Sequence, residues 1–582
     1  MFRKKMFGKR LFGKSSQSRS CFSSPTLQRL AMALMLAATM ASLIANPAAA
    51  QEKSAQPKND PAKAQNFFFF PGNLVVSRSV YDNNPNNVTV GEILPPNCAS
   101  TQGGCGASSG APYNGSYPLV WNDDAYDASF GVTSKIYLDQ MLPFGYLLDS
   151  LQVPNSSMKG ITSSSDQLVT SFSSKSEMAL NLSTNGKYLT FSGYVSPIDT
   201  IDASNANTPG AVDPTNPVGE NVYRAVAEVD AFGNFQFTET NAYSGNNGRA
   251  AILNNSNGDD FIYTAGNAGN GSNPQPNGII LGAGAQIMNP AGELENLQTP
   301  GTPTPVGSFS ITELGYNADK IGKDDNFRGL TVFNNVLYYS KGSGSNGVNT
   351  VYFLDTTGTA CPNGTGLPVP GATLPTAGLT YNLNTLQTDG LPSNMCILAG
   401  FPAIPNKDAT TTLFSFGLWF ANANTMYVAD EGDGYNGGTD LYTHAAAQTT
   451  AGLQKWVFDA TTQQWNMVYT LQTGLNMGTA YNVPQYPTGN NPGTALPWAP
   501  AADGLRNIVG AEAGGYATIW GITSTISGNG DEGADPNQLV AIVDKISNTN
   551  TTLAAKEKFR LLRTAHFGEV LRGVSFTPGT IF

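Results

Sequence analysis

From about residue 67 onward the chain is written in short apolar or alternating runs of four to seven residues, each cut off by Asn, Asp or Gly. That pattern belongs to strands rather than to amphipathic helices. The clearest stretch strings four runs together: Gly417-Leu-Trp-Phe420, Thr425-Met-Tyr-Val-Ala-Asp430, Gly452-Leu-Gln-Lys-Trp-Val-Phe-Asp459 and Trp465-Asn-Met-Val-Tyr-Thr-Leu471. They predict four antiparallel strands. Looser copies of the unit open at Met178, Arg249, Arg328 and Arg506.

The two ends complement each other. Arg572-Gly-Val-Ser-Phe576 is an opening strand with no unit after it, while the body begins at Asn73-Leu-Val-Val-Ser77 with no opening strand of its own. A ring closed by pairing the last strand into the first sheet accounts for both, with Lys135–Asp139 and Tyr146–Leu151 completing that sheet. The expected fold is all-β: a six-bladed β-propeller of four-stranded antiparallel blades, seven being the alternative count. From Met178 onward the openings lie 66 to 89 residues apart. Compact blades repeat every ~40–50 residues, so the surplus must sit in loops. The same uneven spacing disfavours a β-helix, which needs coils of near-constant length. One helix is expected in the body, near Thr552–Thr564.

Residues 1–50 hold eight Lys or Arg and no Asp or Glu, and the mostly apolar run Leu30–Ala45 is followed by Ala48, Ala49 and Ala50. This reads as a cleaved export signal, since the run is shorter than the ~20 residues of a membrane span. Residues 51–66 are polar and read as a flexible linker, leaving 67–582 as a single propeller domain. Export places the protein in the periplasm or outside the cell, with no transmembrane segment after cleavage.

Composition narrows the function. The chain has 31 Lys or Arg against 42 Asp or Glu, a net charge of -11 that becomes about -19 once the signal is gone. Such an excess of carboxylates repels phosphate backbones, so nucleic acid is not an expected partner. Four cysteines remain after cleavage; Cys98 with Cys105 and Cys361 with Cys396 is the preferred pairing, because each closes a local Gly/Pro-rich loop, although three connectivities exist.

Only two histidines, His444 and His566, occur in the whole chain. A His-rich metal centre within one chain is therefore excluded, and both read as ordinary loop residues. A Gly-x-Ser-x-Gly match at Gly106–Gly110 lacks the strand-to-helix turn that a serine nucleophile requires. Calcium is the better ion candidate: Asp430, Glu431, Asp433, Asn436 and Asp440 offer oxygen ligands within one Gly-rich loop, although without EF-hand spacing. A second constellation is arginine. Arg249, Arg328, Arg506 and Arg572 each open an inner strand and would converge on one mouth of the channel, either to hold an anionic or sugar-like ligand or to pair with neighbours such as Asp325 and Asp430.

The runs Asn73-Leu-Val-Val, Arg328-Gly-Leu, Arg572-Gly-Val, Tyr427-Val-Ala-Asp430 and Gly452-Leu-Gln-Lys-Trp456 resemble exported bacterial β-propeller proteins of uncharacterised function. The resemblance spans nearly the whole mature chain and implies the architecture, not a chemistry. The expected role is a noncatalytic scaffold that binds a protein or glycan at a loop face. The alternative is a calcium-dependent hydrolase or lactonase-like enzyme at the channel, drawing on Glu177, Asp324 and Asp430.

Overall fold

The last strand of the chain, Glu569–Phe576, pairs antiparallel with the first, Leu74–Val80, with Leu74 opposite Phe576 and Val76 opposite Val574. This is the closure expected from the complementary ends. In the computed structural model the described residues are 67–84, 116–119, 131–161, 167–209, 218–256, 260–267, 284–290, 326–342, 347–361, 363–376, 395–406, 412–529 and 531–581. They form a six-bladed β-propeller of small antiparallel sheets.

Blade I combines Glu569–Phe576 with Leu74–Val80, Thr133–Met141 and Leu147–Gln152. Blade II runs outward from the two-residue strand Asn181–Leu182 through Leu189–Tyr194 and Arg224–Val229 to Phe235–Thr240. Blade III starts at Gly248–Asn254, blade IV at Gly329–Phe333, blade V at Ser415–Asn422 and blade VI at Ala501–Ala513. These six first strands are innermost, and each lies against the first strands of both flanking blades. The contacts therefore run right round the axis.

Alternating residues put one face of every sheet against the next, so the core is a set of apolar layers between blades. One layer joins Phe416 and Tyr427 of blade V to Ile519 and Ile542 of blade VI; another joins Trp520 and Leu539 of blade VI to Leu74 and Val574 of blade I. Polar locks are buried in the same seams. The Lys455 ammonium of blade V, fully enclosed, donates to Asp544 of blade VI at 2.7 Å. At the closing seam Arg78 pairs with Glu569 of the tail strand at 2.6 Å and with Asp139 of the neighbouring strand Thr133–Met141 at 2.7 and 3.1 Å, and Arg563 of blade VI donates to Asp139 at 2.7 Å.

Two local expectations need correction. The run near Thr552–Thr564 is helical only over Thr551–Ala554; Arg560–Thr564 is the outer strand of blade VI, held by pairing with Gln538–Lys545. Sheet pairing there overrides the helix-favouring Ala and Lys composition. The insertion after Asp430 contains a second helix, Leu441–Ala447, which buries Leu441 and Ala445.

The two ends of the propeller differ. At one end the first two strands of blades IV, V and VI are joined by tight turns at 334–335, 423–424 and 514–515. The Asn334-Asn335 and Gly514-Gly515 pairs have positive φ throughout, as turns matched to strand twist require. At the other end, where the arginine-bearing inner strands begin, the connections are 153–180, 195–223, 431–451 and 472–500. Four long connections thus lie on the arginine end, while blade IV carries its own surplus on the other end, in the connection 355–394 between its third and fourth strands.

Candidate functional site

Contacts between neighbouring inner strands define equivalent positions round the axis. A Cβ on Gly329 would lie 2.6 Å from the Phe416 carbonyl, and one on Gly417 would lie 2.8 Å from the Arg506 carbonyl. The Asn507 amide donates to the Arg572 carbonyl at 2.8 Å, a Cβ on Gly573 would overlap the Met178 carbonyl, and Ala179 N–H donates to the Arg249 carbonyl at 3.2 Å. The residue before each of these contacts occupies one ring position. In order round the axis the six positions hold Arg572, Met178, Arg249, Arg328, Phe416 and Arg506. The four arginines singled out in the sequence are brought to one level of the ring.

All four are buried, with exposures of 2–6%. Arg506 donates to Glu431 at 3.1 Å, and the partly exposed Lys175 ammonium lies 3.8 Å from the same oxygen while also pairing with Glu532. Arg249 is held by the Asn247 side chain at 3.0 Å, the Phe327 carbonyl at 2.9 Å and the Asn326 side chain. Arg328 donates one Nη1 bond to the Ser176 hydroxyl and lies over the Phe416 ring. Arg572 donates through Nη2 to the carbonyls of Gly533, at 3.0 Å, and Phe172.

Among the described residues, Arg249, Arg328 and Arg572 make no ion pair. Buried Nε of Arg328 and both Nε and Nη1 of Arg572 have no acceptor among the described residues. Each such orphaned donor costs about 1–3 kcal/mol. Burial, reinforced by Arg328 beside Arg249 and by Arg506 beside Arg572, disfavours these cations. Glu431 and Glu177 near Arg249, Glu431 and Glu532 near Arg328, and Glu177 and Asp531 near Arg572 oppose that effect, and a guanidinium does not escape burial by losing its proton. Burial alone would raise the Glu431 carboxyl, but Lys175, Arg328 and Arg506 outweigh it and hold the group below the usual range.

A strap crosses this mouth. Phe172 gives its carbonyl to Arg572 of blade I, Lys175 reaches Glu431 and Glu532 of blades V and VI, and Ser176 meets Arg328 of blade IV. On the blade III side the Asn247 amide donates to Ser174 at 2.9 Å. Glu177 anchors the strap to blade II, accepting from the Thr170 hydroxyl at 2.6 Å, the Ser171 N–H at 3.0 Å and the Tyr194 hydroxyl. No periodic signal marks 172–177, and Lys175 and Ser176 escaped the sequence reading for that reason. Glu177, a channel carboxylate in the enzymatic alternative, is here the acceptor that ties the strap to its surroundings.

The acidic loop does not gather its side chains round one point. Asp430 is buried and accepts from Phe414 N–H and Gly432 N–H, both at 3.0 Å, and from the Gln454 amide at 2.9 Å; burial pushes its pKa up to about 7. Glu431 turns to Arg506, Asp433 lies 2.6 Å from His444 Nε2, and Asp440 accepts from the Tyr435 hydroxyl at 3.2 Å. Asn436 lies partly exposed on the same loop. Among the described residues, the one trio of His, Cys, Asp or Glu ligand atoms within 4.8 Å is Asp355, Cys361 and Cys396, and its cysteines form a disulfide with Cα atoms 5.9 Å apart. Asp430, expected as an arginine partner, is replaced in that role by Glu431, because its carboxylate turns inward to cap backbone N–H groups. Asp324, Asp325, Cys98 and Cys105 lie outside the described residues.

His444 is not a plain loop residue: it sits on the short helix at the rim, stacked on the Tyr435 ring at 4.2 Å. His566 lies 3.0 Å from Glu569.

No protein-family model and no curated protein sequence matches the chain. Solved structures that resemble it include an ulvan lyase of a polysaccharide lyase family bound to -[GlcA(1-4)Rha3S]-, at 10% identity over 88% of this chain and 96% of that one, with a TM-score of 0.30. The GH32 β-fructofuranosidase of Bombyx mori is 9% identical over 63% of this chain and 60% of its own, with a TM-score of 0.27. Apo AztD from Citrobacter koseri is 9% identical over 78% and 98%, with a TM-score of 0.25. Likenesses this distant carry no functional argument.

Proposed function

We propose that this protein is an exported bacterial propeller that acts as a noncatalytic binding scaffold and engages a glycan or protein through its arginine-end face. The arginine end carries the reading: the long connections 431–451 and 472–500 flank its buried arginines, whereas the opposite end has tight first-to-second strand turns in blades IV, V and VI and the long connection 355–394. Loops held by a rigid sheet framework are where binding surfaces are built. The disulfide between Cys361 and Cys396 and the basic, then apolar, N-terminus support an oxidising destination. The carboxylates with the best access to the channel mouth are taken up by anchoring roles: Glu177 by four donors and Glu431 by Arg506 and Lys175.

A panel of acidic and neutral polysaccharides tests this. The purified mature protein should be retained by at least one polymer without shortening it. Tyr435→Ala and His444→Ala on the arginine-end rim should weaken retention, whereas Phe232→Ala, on the opposite end and 65% exposed, should not. Release of reducing ends that stops on chelation would replace this reading with the calcium-dependent hydrolase.

A further inference from the structure

We infer that the arginine end of the channel contains a built anion site, centred on the axis between Arg328 and Arg572 and covered by the strap 172–177. The inference rests on the binding-face reading and gives that face a ligand chemistry. Arg328 and Arg572 stand at opposite positions of the six-membered ring, and each carries orphaned buried donors. Arg249 adds a third buried guanidinium, hydrogen-bonded among the described residues to neutral groups, with Glu177 and Glu431 acting on it from further off. Five cations, counting Lys175 and Arg506, surround the mouth; among the described residues only Lys175 and Arg506 pair directly with carboxylates, while Glu177, Glu431, Glu532 and Asp531 act on the other three without contact.

Buried charged donors without acceptors are rare in folded proteins, and a folded chain this acidic has carboxylates in surplus with which to neutralise them. Their persistence at one point is explained by an anion that completes the site. Planar guanidinium forks suit the oxygens of a sulfate, a phosphate or a carboxylate equally. The shared chemistry is thus a compact oxyanion, either free or carried on a larger ligand such as a sugar acid.

The test is titration calorimetry and thermal melting of the full mature protein with sodium sulfate, sodium phosphate and sodium glucuronate, each against sodium chloride at matched ionic strength. Saturable binding of at least one of the three, with a rise in Tm beyond that in chloride, is expected. Sulfate or phosphate binding identifies a free oxyanion; binding of glucuronate alone identifies a sugar-borne carboxylate. Arg328→Gln and Arg572→Gln should each weaken binding by about tenfold or more, while Lys187→Gln, which removes the same charge from an exposed turn, should leave Kd unchanged. No saturable binding by the unsubstituted protein overturns the inference, and that arm needs no variant to fold. Equal affinity in both arginine variants overturns it too. Polysaccharide retention that depends on Tyr435 and His444 in a protein that binds none of the three anions would sink the anion site and leave the binding face standing.

Discussion

Arg224 and Arg249 each stand at the start of a strand in the dipeptide Arg-Ala, the first in Arg224–Val229 and the second one residue inside Gly248–Asn254, yet they do different work. Arg224 begins the third strand of blade II and is saturated by the carbonyls of Val222, Ser204, Ala206 and Asn246, so it knits the 195–223 connection to its neighbours. Arg249 lies at the start of an inner strand and joins the ring. Local sequence does not separate them; only the rank of the strand within its blade does. The acidic loop teaches the same lesson, since its carboxylates look like one cluster in sequence yet Asp430 caps backbone N–H groups, Glu431 meets Arg506, and Asp433 and Asp440 engage the Tyr435–His444 pair. Asp430 offers a titration test. Its folded pKa of about 7 lies above the ordinary 3.8, so its contribution to stability is present at low pH and is lost as pH rises through about 7. Asp430→Asn, which has no charge to bury, should therefore be less destabilising at pH 8 than at pH 5 when urea midpoints are compared.

Among the elements, the strands of blade V appear at the positions their apolar runs predict, because each run is long, bounded and alternating. The inner strand of blade II was expected from Met178 and is a strand only over Asn181–Leu182. Met178 itself has positive φ, which breaks regular strand geometry just where the strap joins the ring. The ring also explains the Arg-Gly pairs at Arg328 and Arg572: the glycine lets one inner strand approach the carbonyl of the next. Gly573→Ala should destabilise the fold by about 1–3 kcal/mol, since its Cβ would overlap the Met178 backbone. Gly219→Ala, which meets nothing within 4 Å, should fall within about 0.5 kcal/mol of the parent by the same denaturation measurement.

At the scale of the whole molecule, stability depends on the seam where the tail strand completes blade I. Asp139 is buried there between Arg78 and Arg563, with the Ser150 hydroxyl also donating to it. Burial would raise its pKa, but the two guanidiniums outweigh it and bring it to about 2. The sign is the reverse of that at Asp430: the folded value lies below the unfolded one, so the stabilisation is complete above about pH 4 and disappears as pH falls toward 2. It amounts to about 2–3 kcal/mol. Asp139→Asn should remove that acid-dependent component and lower stability at pH 7 by about 3–5 kcal/mol, read as a fall in the urea midpoint. An unchanged acid limb in the variant would show that closure does not rest on this carboxylate.

The blade pattern, the closure and the Cys361–Cys396 bond were legible in the chain because each is carried by short-range periodicity or by a complementarity of the two ends. Strand alternation needs only neighbouring residues to declare itself, and a surplus strand at one end implies a deficit at the other. The strap, the inward turn of Asp430 and the exchange of Arg506 onto Glu431 belong to the tertiary structure alone. They depend on which side chains reach the axis from residues as much as 400 positions apart, as Phe172 and Arg572 are. Propeller closure sets that distance, and no local pattern encodes it.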